Sequence, residues 1–103
     1  MKDIKGYEGK YAITEDGRVW NYRTRGWQAL HTTKNGYVEA LLSSGGTRKH
    51  YQVHRLVLMT YKPIEGMESL DVDHIDENRS NNCLSNLQWL THKDNCKKRD
   101  RKV

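Results

Sequence analysis

The sequence predicts an α+β protein with an antiparallel, β-rich first half, one connecting helix and a closing strand–loop–strand–helix unit. Three observations carry this. Asp16-Gly17 and Asn35-Gly36 each lie between short apolar runs, the pattern of tight antiparallel hairpins. After Val53 the apolar spacing shifts to the i, i+3, i+4 pattern of a helix. A polar loop then separates two more short apolar runs, and a helix-start pattern follows.

Taken in order, Tyr11-Ala12-Ile13 and Arg18-Val19-Trp20 flank Glu15-Asp16-Gly17 as the first hairpin. Trp27–Thr33 and Tyr37–Leu42 flank Lys34-Asn35-Gly36 as the second, and Ser43-Ser44-Gly45-Gly46 turns the chain into a strand over Thr47–Val53. Imperfect alternation in these strands suits one twisted antiparallel sheet with a wet face. Val53, Leu56, Val57 and Thr60-Tyr61 fall on one helical stripe, which Pro63 ends because proline cannot extend the hydrogen-bond ladder. Leu70–Ile75 and Asn86–Thr91 read as strands around the polar loop Asp76–Cys83. Thr91 and Asp94 form a helix N-cap pattern, and the helix is predicted to run to about Arg101. The chain thus divides into a β-rich lobe, 1–52, and a second unit, 53–103.

Composition narrows the class. Hydrophobic residues are 35% of the 103, with no Phe, so three Trp and six Tyr must supply much of the burial. No apolar run is long enough to span a membrane. The start, MKDIKGYEGK, lacks the apolar stretch of a secretory signal, and Cys83 and Cys96 are too few for a disulfide framework. These features suit reduced thiols in a cytoplasmic protein. The net charge of +5 is unevenly spread: residues 1–53 carry +4, residues 54–91 carry −3 and residues 92–103 carry +4. Basic flanks suit a polyanion such as DNA, whose phosphates release counterions on contact. An acidic island between them suits the cation that phosphate chemistry requires.

Within that island, DHIDENRSNNCLSNLQWLTHKDN places Asp73-His74 near the end of one strand, Asn86 at the opening of the next and Asn95 about one turn into the helix. This string resembles the HNH nuclease motif, in particular that of phage homing or intron-encoded nicking endonucleases. Val53-His54-Arg55-Leu56-Val57 resembles the helix leading into the motif. Gly6–Ile13 with Asp16-Gly17-Arg18-Val19 resembles the small N-terminal module often joined to such enzymes. The resemblance implies a ββα-metal (HNH/His-Me finger) unit at 53–103, a DNA-contacting lobe at 1–52 and hydrolysis of double-stranded DNA. It further implies a phage-encoded protein working in the host cytoplasm.

The residues support a division of labour. Asp73 offers a carboxylate oxygen and Asn95 an amide oxygen, hard donors that suit Mg²⁺ or Mn²⁺ and leave positions for water and phosphate. His74, with an ordinary pKa of about 6.5, suits a general base. By resemblance His74 deprotonates the attacking water, giving a 5′ phosphate and a 3′ hydroxyl, and Asn86 clamps the loop that orients it. On a regular strand adjacent side chains point to opposite faces, so this reading requires a bend near His74. Arg23, Arg25, Arg55, Lys97, Lys98, Arg99 and Arg101 are candidate DNA contacts. One motif supplies one active site, so a monomer, or a weak dimer, would nick one strand. The larger homing enzymes often add a C-terminal recognition domain. This chain ends just after the catalytic helix, which favours a weakly selective nickase.

Other residues read more plainly. His31 and His50 fall on strands and suit the surface, His92 suits an exposed helix start, and His54 suits either a supporting or a packing role. Asp76-Glu77-Asn78 suits a solvated loop. Two alternatives stay open: a DNA-binding module that does not cut, and a zinc-stabilised interaction domain using His74, Cys83, His92 and Cys96.

Overall fold

The computed structural model describes the backbone of residues 1–100 and the side chains of residues 1–97. Nine strands and two α-helices occur among them: β1 Lys2–Asp3, β2 Tyr11–Ile13, β3 Val19–Asn21, β4 Gly26–Trp27, β5 Leu30–Thr32, β6 Val38–Ser44, β7 Thr47–Gln52, α1 Val53–Tyr61, β8 Asp71–His74, β9 Leu87–Leu90 and α2 His92–Asp100. Short 3₁₀ turns at Met67–Ser69 and Leu84–Asn86 flank β8 and precede β9. The α+β class and the antiparallel pairing throughout agree with the sequence.

The first half corrects the prediction of one sheet. It forms two, in the orders β1-β2-β3-β4 and β5-β6-β7. Trp27 does not join the second hairpin. It pairs with Trp20 across β3 and β4, the two indoles packing edge to face with centroids 5.1 Å apart. Arg18 lies over the Trp27 ring at 4.3 Å, covering part of an indole that is otherwise exposed. Aromatic area on the first hairpin therefore outweighs continuation of the second strand back to residue 27.

Both halves build one core. Ile4, Tyr11, Ile13, Val19, Ala40 and Leu42 pack with Val53, Leu56, Val57, Leu58 and Leu87. Helix α1 is the centre of this packing, because its buried stripe Val53, Leu56, Val57 meets strands from every sheet. Its C-terminal end is tied down where Trp89 Nε1 donates to the Lys62 carbonyl at 2.9 Å and Tyr61 Oη donates to the Ile13 carbonyl at 2.6 Å.

The β2–β3 turn also supports the polar loop. Gly17 has φ +88°, and a Cβ there would stand 3.0 Å from Asn82 Cβ and 3.2 Å from Val53 Cγ1. Only glycine satisfies both that backbone and that approach. Beside it, Leu84 N donates to the Glu15 carbonyl at 2.7 Å. The first hairpin therefore forms the seat on which residues 82–84 rest. No helix among the described residues is long and apolar enough to cross a membrane.

Candidate active site

Strands β8 and β9 pair in the register Asp71↔Leu90, Val72↔Trp89, Asp73↔Gln88 and His74↔Leu87. Alternation divides the hairpin into two faces. Val72, His74, Leu87 and Trp89 face α1, and Leu87 enters the core. Asp71, Asp73, Gln88 and Leu90 occupy the other face, which α2 reaches through Asp71.

On the α2 face, Asp73 is buried and its Oδ2 accepts from Gln88 Nε2 at 2.8 Å. Asn95 Nδ2 donates to Asp71 Oδ2 at 3.2 Å, and His92 Nδ1 meets the same oxygen at 2.9 Å. Helix α2 begins as predicted, with Asp94 N donating to Thr91 Oγ1 at 3.1 Å. This cap sets the phase that turns Asn95 toward β8. With the Asn95 amide nitrogen on Asp71, its Oδ1 is the atom of that side chain able to accept or to ligate. Asp71 was not singled out in the sequence. Its signal was the Asp-x-Asp spacing, which on a strand puts two carboxylates on one face. Asp71, Asp73 and Asn95 together supply only oxygen donors, which fits a hard divalent cation.

On the opposite face, the His74 ring is 6% exposed and lies between two partners. One is the ring of His54, stacked at 5.0 Å with 13° between planes. The other is Asn82, whose Oδ1 lies 2.9 Å from His74 Nε2. An amide oxygen only accepts, so Nε2 carries the hydrogen and the lone pair sits on Nδ1. Asn82, also buried, is a second residue missed in the sequence, where a run of loop asparagines gave no reason to prefer one. His54 is pushed down to about 4, first by burial and then by the nearby His74 and Arg55 charges. It is therefore neutral near pH 7. Tyr37 extends the stack at 5.6 Å from His54, and Arg79 caps it at 4.8 Å from the Tyr37 ring.

Asn86 joins the two ends of the loop. Its Oδ1 accepts from Asp76 N, and its Nδ2 donates to Asp76 Oδ1 and to the Asn81 carbonyl, each at 2.9 Å. Asp76 receives further hydrogen bonds from Asn81 and Asn78, and these donors, Asn81 foremost, hold its carboxyl below the usual carboxylate range. Glu77 takes φ +67° to complete the turn. Among the described residues, no buried side-chain nitrogen or oxygen lacks a partner.

One expectation needs correction. The strand does not bend between Asp73 and His74: the register runs regularly through both, and the turn comes after. The two side chains consequently meet different partners, Gln88 and His54, from the two faces of one strand end. Arg55, a candidate DNA contact, has an intramolecular setting for its guanidinium. Its Nη1 donates to the Leu70 carbonyl at 2.9 Å and its Nη2 to the Met67 carbonyl at 2.8 Å, with the group over Trp89. A planar fork with two backbone acceptors braces α1 against the approach to β8.

The remaining candidates are dispersed. Arg23 lines a cleft of about 790 Å³ with Lys10, Tyr22, Ser44 and Arg48. Arg25 is exposed in the β3–β4 turn with φ +53°, and Lys97 is exposed on α2. The side chains of Lys98 and Arg99, and all of Arg101, lie outside the described residues. His31 and His50 are exposed. The four zinc candidates do not assemble: His92 meets Cys96, His74 turns to Asn82 and His54, and Cys83 precedes the Leu84–Asn86 turn. Among the described residues, no three or more His, Cys, Asp or Glu side chains are grouped to hold a metal.

Comparison with known proteins matches two stretches of the chain. Residues 51–97 match the family model for HNH endonuclease, and residues 2–42 match the NUMOD4 motif. The chain is 43% identical over 95 residues to DNA endonuclease I-HmuI of Bacillus phage SP01, covering 91% of this chain and 53% of that protein. It is 30% identical over 86 residues to H-N-H endonuclease F-TflII of Escherichia phage T5, covering 82% of this chain and 45% of that one. A solved structure, described as DNA binding and cleavage by the HNH homing endonuclease I-HmuI, superposes with a TM-score of 0.91 at 39% identity, over 98% of this chain and 57% of the other. The chain spans about half the length of these relatives. The strand–loop–strand–helix unit that carries Asp73-His74, Asn86 and Asn95 thus lies within the stretch, residues 51–97, that matches the HNH endonuclease family.

Proposed function

We propose that the protein is a DNA endonuclease that hydrolyses one phosphodiester bond at a time, with Mg²⁺ or Mn²⁺ as its cofactor. One observation carries the reading: a hard-oxygen face on β8 and α2 lies across a single strand end from a histidine whose tautomer is fixed. Asp73 and Asn95 would hold the ion, with Asp71 orienting Asn95. When bound, the ion supplies charge relief on the phosphate and on the departing oxygen.

The residues of the chain account for the proton. His74 Nδ1 accepts a proton from water, and the resulting hydroxide oxygen attacks phosphorus in line with the 3′ oxygen. The bond from phosphorus to that oxygen breaks, and the 3′ oxygen takes up a proton. A 5′ phosphate and a 3′ hydroxyl result. Asn82 keeps Nε2 protonated, so the basic nitrogen stays Nδ1, and Asn86 keeps the loop that carries Asn82 closed. The scissile phosphate lies over the end of β8, where Asp73 and His74 approach it from two sides. The regular register of β8, with the two side chains on opposite faces, supports that placement.

The same proposal assigns residues 1–52 to duplex contact, through Arg23, Arg25 and the basic cleft, and residues 53–103 to cutting. Lys97, Lys98, Arg99 and Arg101 extend the contact along α2. A single site suits a monomer that nicks, acting in the host cytoplasm of a phage. Supercoiled plasmid incubated with Mg²⁺ or Mn²⁺ should convert to the open-circular form, chelator should stop it, and His74→Ala should slow it by at least about 10²-fold. Plasmid that stays supercoiled with either ion would overturn the proposal.

A further inference from the structure

We propose that His92 and Cys96 form a binding site for a divalent cation of the zinc class, adjoining the hard-oxygen face through Asp71, whose Oδ2 meets both His92 and Asn95, but tested without reference to the nuclease reading. The two residues sit at i and i+4 on the first turns of α2, with His92 Nε2 and Cys96 Sγ 3.5 Å apart. Zn²⁺ binds sulfur at about 2.3 Å and imidazole nitrogen at about 2.0 Å, and the tetrahedral angle between them sets these atoms about 3.5 Å apart. The pair therefore already has the spacing of two ligands on one ion.

The other ring nitrogen strengthens the case. His92 Nδ1 is 2.9 Å from Asp71 Oδ2, on the far side of the ring from the sulfur. A carboxylate on Nδ1 fixes the tautomer that presents Nε2 as a ligand and makes that nitrogen a better donor. The His92 side chain is 74% exposed, so an ion reaches the pair from solvent and completes its shell with water. Thiolate and imidazole select Zn²⁺ or Co²⁺ over Mg²⁺, so the two cation sites differ in chemistry.

Cobalt titration of the full chain tests this directly. Wild type and Cys83→Ser should both develop the near-ultraviolet thiolate-to-cobalt absorption, saturating at one ion per chain and persisting in excess Mg²⁺. Cys96→Ser should abolish the band, and His92→Ala should weaken binding at least tenfold. Zn²⁺ should displace Co²⁺ and slow the reaction of Cys96 with a thiol reagent. A wild-type protein without the band would overturn the proposal. So would a band that survives Cys96→Ser, disappears in Cys83→Ser, or stays equally strong in His92→Ala. Circular dichroism of each variant separates loss of ligand from loss of fold.

Discussion

The imidazole of His54 lies flat against that of His74, centroids 5.0 Å apart and planes 13° apart. One ring belongs to α1, inside the common core, and the other to the end of β8. The stack therefore transmits the position of the core to the proposed base. His54→Ala removes the supporting ring and leaves a cavity beneath His74, whereas His54→Phe keeps a flat ring of similar size. Nicking should fall about 10- to 100-fold in His54→Ala and by less than about fivefold in His54→Phe. DNA binding, measured with noncleaving Ca²⁺, should be unchanged in both. Equal losses in the two variants would show that packing of a ring is not what His54 provides.

Stability should fall with acid through the same residue. His54 is held near 4 by burial, against an ordinary value of about 6.5. Between those values the unfolded chain binds the proton and the folded chain does not, so this contribution is complete above about pH 6.5 and is lost as pH falls toward 4. The slope attributable to one such group is at most about 1.4 kcal/mol per pH unit. Denaturant unfolding across pH 4 to 7 should show this slope in wild type and a flatter curve in His54→Phe. The lowered carboxyls of Asp3, Asp16 and Asp76 add their own loss below about pH 5 in both proteins, so the difference between the two curves isolates His54.

Asn86 makes a different kind of contribution. It forms three hydrogen bonds that close the loop between β8 and β9, two of them to Asp76. Asn86→Asp keeps the size but replaces a donor with a charge facing the Asp76 carboxylate. The substitution should cost about 2–3 kcal/mol in stability and reduce nicking more than Asn86→Ala does, because repulsion opens the loop rather than merely leaving it unpaired. Chemical denaturation and the plasmid assay check both parts.

How much of this was legible in the sequence varies by residue. The turns at Gly17 and Gly36, α1 with its stop at Pro63, and the β8–β9–α2 order followed from local chemistry: positive φ, helical stripe, missing donor, side-chain cap. Trp27 was misplaced because its partner, Trp20, is chosen by aromatic packing across strands, which no local pattern encodes. The structural partners of Arg55 were hidden for a related reason. A basic residue near a nuclease motif looks like a DNA contact, and no local pattern shows that the carbonyls of residues 67 and 70 arrive beside it. Asp71 and Asn82 escaped notice because their importance lies in which side chain they orient.

Arg55 yields its own test. Its fork holds two carbonyls that a lysine cannot bridge in the same plane. Arg55→Lys should lower stability by about 1–2 kcal/mol, and Arg55→Gln, which removes the charge, should leave the salt dependence of DNA binding unaltered. A shallower salt slope in Arg55→Gln would place the residue at the DNA interface.

The two carboxylates of β8 should separate by the kind of defect they cause. Asp73 is assigned to the ion itself, and Asp71 to the amide of Asn95, whose nitrogen it accepts at 3.2 Å. Without that acceptor the Asn95 side chain can turn its nitrogen toward the ion, which repels it. Asp71→Ala should therefore raise the Mg²⁺ concentration for half-maximal nicking about 10- to 100-fold, with the rate restored at saturating ion. Asp73→Ala should lose activity at every Mg²⁺ concentration. A magnesium titration of the two variants discriminates the roles, since a carboxylate that only orients is compensated by mass action and a ligand that also positions the phosphate is not. If Asp71→Ala proves the unrescuable variant, the ion sits on Asp71 and Asn95, and Asp73 takes the supporting role with Gln88 as its anchor.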